Sequence, residues 1–106
     1  SAMATSEEMK DIFSSSELDQ KARRLSVVQP RLTSSLLRQT PATVVVIFIV
    51  DENGRVQDPK IQRTTNPSFD RSALAAIRQW KFEPAKVQGR AVSSRLRQSF
   101  SFEKNN

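Results

Sequence analysis

The carboxylates and hydroxyls of this chain are where chemistry would be sought, and they are badly placed for it. Asp51 and Glu52 are adjacent. Neighbouring residues at a strand end point apart, so the pair reads as a hairpin shoulder and not as an acid and a base sharing one substrate. Ser34-Ser35 and Ser93-Ser94 sit outside any G-x-S-x-G elbow. The chain has no His to act as a base for them, and no Cys for a disulfide or a thiolate metal site. Asp51, Asn53 and Asp58 carry oxygens, but the spacing and the closing Glu of a calcium loop are missing. Gly54 and Gly89 are the only glycines, too few for a loop that cradles phosphates. Enzymatic and metal functions are therefore excluded, and no cofactor is implied.

Binding chemistry remains. Trp80 and Phe82 could stack on bases or sugars, but Trp80 recurs at helical spacing beside Ile77 and reads as core. Arg95 and Arg97 could meet phosphate, yet two arginines without interleaved aromatics are a weak nucleic-acid signal. The formal charge of +6 is unevenly spread. Residues 1–20 hold five acids and one base, and the remainder carries a net +10. A basic domain suits nucleic acid, anionic lipid or an acidic protein, and the plainer reading is a solubilising surface.

These residues have to be positioned by a small set of elements. The length of 106 residues allows one small domain with a modest core. Residues 1–20 are polar and read either as disordered or as a short helical turn over residues 8–13. Leu25, Val27 and Val28 form a short extra strand pattern that Pro30 stops. Residues 33–39 predict a short helix capped by Thr33, with Leu32, Leu36 and Leu37 on show. Residues 43–50 predict a central strand, dense in β-branched residues and apolar on both faces. Asn53-Gly54 predicts positive φ angles in a tight hairpin. The returning strand, residues 56–64, contains Pro59 and must lie at an edge or carry a bulge.

Asn66-Pro67 opens the main helix, whose stripe is Phe69, Ala73, Ala76, Ile77 and Trp80. Pro84 stops it and Gly89 turns the chain. In residues 91–102, Val92, Leu96, Phe100 and Phe102 share one parity, and Ser93, Arg95, Arg97, Ser99 and Ser101 share the other. No apolar run reaches the roughly 20 residues of a membrane span. Ser1-Ala2-Met3 looks like the scar of a cleaved tag, so the chain reads as an excised soluble domain, residues 21–106, whose anchor or Pro-rich linker would lie upstream.

The element order predicts an α+β sandwich. A three-stranded antiparallel sheet has residues 43–50 in the middle, with both helices packed on one face. Val44, Val46, Phe48 and Val50 then face the helices. Val45, Ile47 and Ile49 face the other way, to be covered by residues 25–28 or by a second copy, which leaves a monomer or a weak homodimer. The last strand is an edge. Its free N–H and C=O groups could accept an extended peptide, or its arginines and serines could simply blunt it against aggregation.

Three motifs weigh on that choice. They are Val50-Asp51-Glu52-Asn53-Gly54-Arg55-Val56, then Asn66-Pro67-x-Phe69-Asp70-x-x-Ala73, then Trp80-Lys81-Phe82-Glu83-Pro84. In order and spacing they closely resemble the C-terminal domain of the TonB family of energy transducers. The resemblance implies a periplasmic domain of a protein anchored in the inner membrane of a Gram-negative bacterium. Its partners would be the box peptide of a TonB-dependent outer-membrane transporter and, through the anchor, an inner-membrane proton-channel motor complex; nucleic acid would not be one. The box peptide would add as a strand along Val92, Ser93, Ser94, Arg95, Leu96, Arg97, Gln98, Ser99 and Phe100. Gln29 and Pro30 match the family's Q-P-x-Y-P segment and give a second contact. Leu32 and Thr33 stand where that segment has Tyr-Pro, and Ala42 stands near a usual Gly, which points to a member with its own box preference. The alternatives are a TonB-like domain on an envelope sensor, scaffold or cell-wall-binding protein, and a small basic nucleic-acid binder.

Overall fold

The computed structural model describes residues 12–13 and 18–104. The central strand, β3 (Ala42–Val50), pairs antiparallel with β4 (Val56–Thr64) on one side and with the last strand, β7 (Arg90–Phe102), on the other. Its parity follows the expectation. Val44, Val46 and Val50 are fully buried and Phe48 nearly so, in a core shared with Phe69, Ala73, Ile77 and Trp80. Ile47 lies exposed on the opposite face.

The hairpin between β3 and β4 is wider than a two-residue turn. Gly54 N–H donates to the Asp51 carbonyl and Asp51 N–H to the Arg55 carbonyl, each at 2.9 Å. Gly54 takes a positive φ of 82°, and Asn53 does not share it, which corrects the expected pair of left-handed residues. Asp51 holds the loop. Its Oδ1 accepts from the N–H groups of Asn53 and Arg55, and its Oδ2 from the Gln57 amide, all at 2.9 Å. Pro59 is tolerated for both anticipated reasons: β4 is an edge, and the register shifts between Ile47 and Ile49 beside it.

Helix α1 (Ser34–Leu37) starts at Thr33, whose hydroxyl accepts from Leu36 N–H at 3.1 Å, and it buries Leu36. Asn66 caps a 3₁₀ turn (Pro67–Phe69) by accepting from Ser68 N–H at 3.0 Å. That turn runs into α2 (Asp70–Arg78), which buries Ala73, Ala76 and Ile77. Both helices feed the one core on one face of the sheet.

The sheet has more strands than the predicted three. Residues read as a helix stop and a loop form β5 (Lys81–Glu83) and β6 (Ala85–Val87). Gln88 and Gly89, both at positive φ, turn β6 into β7. β5 pairs with β2 (Arg23–Ser26) in a separate ribbon, and β1 (Ile12–Phe13) runs parallel to β7 on the side away from β3. The main sheet is therefore five-stranded, in the order β1-β7-β3-β4 with β6 on β7. Of the helical turn expected over residues 8–13, residues 8–11 lie outside the described ones and Ile12–Phe13 is strand. Leu25–Val28 does not cover the second face of the sheet. Its residues 25 and 26 belong to the ribbon with β5, Leu25 is 65% exposed, and Val28 packs against the helix-side core.

Candidate functional site

The outer edge of β7 is the feature to build from. Alternation sends Phe100 and Phe102 into the core and leaves Arg95, Arg97, Ser99 and Ser101 exposed. The inner edge is fully used, from Ala42 opposite Phe102 to Val50 opposite Ser94. On the outer side Ile12 pairs with Ser93 and Phe13 with Ser94, while Val92 pairs with Ala85 of β6. Among the described residues no strand pairs with the outer edge over residues 95–102. At about 3.4 Å per residue that open length is roughly 27 Å, room for a short extended peptide.

A second element comes up to this edge. After β2 the chain runs inward, and the Trp80 indole Nε1–H donates to the Val28 carbonyl at 2.9 Å. Trp80 itself is 5% exposed and meets Phe100 edge-on at 5.7 Å, so the bond anchors the segment to the core. Val28 and Leu32 pack inward from it. The result is a groove of about 630 Å³. Arg24, Val27, Gln29, Pro30, Leu32 and Trp80 line one part of it, and residues 98–103 the other. The Arg24 guanidinium lies 5.8 Å from the Trp80 ring centroid, within cation–π range, and puts positive charge at the groove.

The sequence-predicted residues therefore divide into three sets. Gln29, Pro30, Gln98, Ser99 and Phe100 come together in this groove. Arg95, Leu96 and Arg97 continue the open edge away from it. Val92, Ser93 and Ser94 are already paired outside β3, so among the described residues the unpaired part of the outer edge begins at Arg95. Sequence reasoning missed Arg24, Val27 and Leu32 as groove residues, and read Trp80 as core alone. Val27 carried a signal: it is an apolar residue on a segment already read as extended, and it stands 47% exposed at the groove.

Two carboxylates outside the groove are structural. Glu83 accepts from the Gln20 amide at 3.1 Å and from Arg23, with which it also forms an ion pair. These bonds and the Arg23 charge hold its carboxyl below the usual range and tie β2 to β5. Partial burial pushes the Asp51 carboxyl up, but the hydrogen bonds from Arg55, Gln57 and Asn53 outweigh it and leave the group below its ordinary value. Among the described residues no three His, Cys, Asp or Glu side chains cluster to hold a metal ion, and no helix is long and apolar enough to cross a membrane.

A small α+β domain with an open sheet edge beside a partly apolar groove has the form of domains that take up an extended peptide. The chain belongs to the Gram-negative bacterial TonB protein C-terminal family, whose model matches residues 35–103. It is 35% identical over 63 residues to Protein TonB of Xanthomonas campestris pv. campestris strain B100, and equally to that of strain ATCC 33913. The alignment covers 58% of this chain and 28% of either relative, so the chain matches little more than a quarter of their length. The fold is similar to the solution NMR structure of the Pseudomonas aeruginosa TonB CTD, with a TM-score of 0.60 at 24% identity over 83% of this chain and 93% of that one. The resemblance carried by the three motifs is thus matched by family and by fold.

Proposed function

We propose that this chain is the periplasmic, peptide-binding domain of a TonB energy transducer. It takes the box peptide of an outer-membrane transporter as an added strand on β7 and passes mechanical work to it from an inner-membrane motor complex. The domain has no catalytic task. The observation that carries the reading is the coincidence of two features at one place. The outer edge of β7 is unpaired over residues 95–102 among the described residues, and Gln29 and Pro30 stand across a groove from its last part. Main-chain bonds to the edge would give affinity, and the groove would select side chains. Leu32 lines that groove, and Thr33 follows it, where the family segment has Tyr-Pro. This supports a box preference particular to this chain.

The test is a titration of the isotope-labelled chain with the box peptide of a cognate transporter, followed by amide shifts. Changes should map to residues 95–102 and to Gln29. Affinity should be weak, because ordering a free peptide offsets much of the bonding. Shifts confined to other surfaces at saturation would refute the site.

A further inference from the structure

The sheet face turned away from the helices carries Ile47 and Ile49. Register fixes its layout. Ile47 lies between Lys60 and Arg97, Ile49 between Gln57 and Arg95, and Val45 between Arg63 and Ser99. Directly opposed residues share a face, so Ile47 and Ile49 form an apolar floor between cations from β4 and β7, and Val45 lies buried beside them. The walls stand two strand spacings apart, about 10 Å. They enclose an open channel of about 470 Å³ over Ile47 and Ile49. Asp58 is the one acid lining it, and it already faces Lys60 at 3.4 Å.

We propose that this channel docks an acidic, extended polypeptide segment of a partner protein. Charge selects the occupant. Arg95 and Arg97 on one wall and Lys60 on the other, with Arg63 further along the same face opposite Val45, call for carboxylates on both sides of a chain whose apolar side chains meet the floor. A second copy would bring the same four cations against these, so isologous pairing through this face is opposed. A strand-shaped recess between long side chains fits an extended backbone better than a planar lipid surface. Among the residues whose side chains are described, Phe48, Phe69, Trp80, Phe82, Phe100 and Phe102 all belong to the core, so none of them offers bases a stacking platform on this face.

The channel shares Arg95 and Arg97 with the β7 edge, and the test keeps the two sites apart through β4. The probe is a capped hexapeptide of alternating Asp and Val, with Lys-Val and Ser-Val peptides as controls. At low salt the Asp-Val peptide should shift the amides of Ile47, Ile49, Lys60 and Arg97, and the shifts should vanish at high salt. Lys60→Gln with Arg63→Gln, both on β4 and remote from the outer edge of β7, should weaken it about fivefold, in line with two exposed charge contacts. Box-peptide binding at the β7 edge should be unchanged by that pair. Equal binding of the Lys-Val or Ser-Val peptide, unchanged affinity in the double variant, or shifts restricted to the Gln29–Phe100 groove would overturn the proposal. So would phosphatidylglycerol vesicles or an oligonucleotide perturbing these amides at lower concentration than the acidic peptide.

Discussion

Trp80 donates its indole N–H to the carbonyl of Val28 at 2.9 Å, across 52 positions of sequence. The bond makes a core residue the anchor of the segment that carries Gln29 and Pro30. Two substitutions separate its roles. Trp80→Ala should cost about 3–5 kcal/mol, as for other buried aromatics. Trp80→Phe keeps most of the packing and should lose only about 1–2 kcal/mol, but it frees Val28 and should weaken peptide binding at the groove. Chemical denaturation and peptide titration of both variants check this.

Gly54 and Gly89 both take positive φ, at 82° and 77°, but differ in their surroundings. A Cβ at Gly54 would collide with the backbone carbonyl of Phe82, whose N–H in turn donates to the Gly54 carbonyl at 2.9 Å. A Cβ at Gly89 meets nothing within 4 Å. Gly89→Ala should therefore cost about 1–2 kcal/mol of left-handed strain, and Gly54→Ala clearly more. Denaturation midpoints that were equal for the two would contradict the packing of the hairpin on β5.

Asp51 and Glu83 give the fold a defined acid sensitivity. Each folded-state carboxyl lies below its ordinary value, so each stabilises the fold fully at neutral pH. That contribution is lost as pH falls below about 4 and through the folded-state value. Asp51→Asn with Glu83→Gln should lower stability at pH 7 and make the fall below about pH 4 shallower than in the parent. Midpoints of urea unfolding measured across that range supply the check.

Ser94 is 2% exposed, and its hydroxyl finds no partner among the described residues. A buried hydroxyl without a partner costs more than it contributes. Ser94→Ala should leave stability unchanged or raise it by up to about 1 kcal/mol, read from the thermal midpoint. A loss above about 1 kcal/mol would mean that the hydroxyl is satisfied.

Much of this architecture was legible because local chemistry agreed with the global fold. Thr33 and Asn66 announce their helix starts, and Pro59 announces an edge with a bulge. The alternation in residues 91–102 marks the core side of β7, with Phe100 and Phe102 inward. Strands β5 and β6 were hidden because residues 81–87 carry only Phe82, Ala85 and Val87 as apolar signals. The extended form of β5 depends on distant partners, Arg23 and Arg24, and that of β6 on the adjacent Gln88-Gly89 turn that folds it onto β7. The pairing of Ile12–Phe13 with β7 is a main-chain interaction in a polar stretch, with no side-chain periodicity to betray it. The groove was half legible: Gln29, Pro30 and the end of β7 could be named, but its wall at Arg24, Val27 and Leu32 depends on where the Trp80–Val28 bond draws the chain.

A transporter peptide that becomes a strand of this sheet must protect the outward amides of β7, and amide hydrogen exchange reads that protection residue by residue. In the free chain, those N–H groups of residues 95–102 that point away from β3 should exchange quickly, and those bonded to β3 slowly. Saturation with the cognate box peptide should slow the outward set by about tenfold or more, through new main-chain hydrogen bonds, and leave the inward set unchanged. A peptide that binds at saturation yet leaves the outward amides exchanging at their free rate would contradict strand addition on β7.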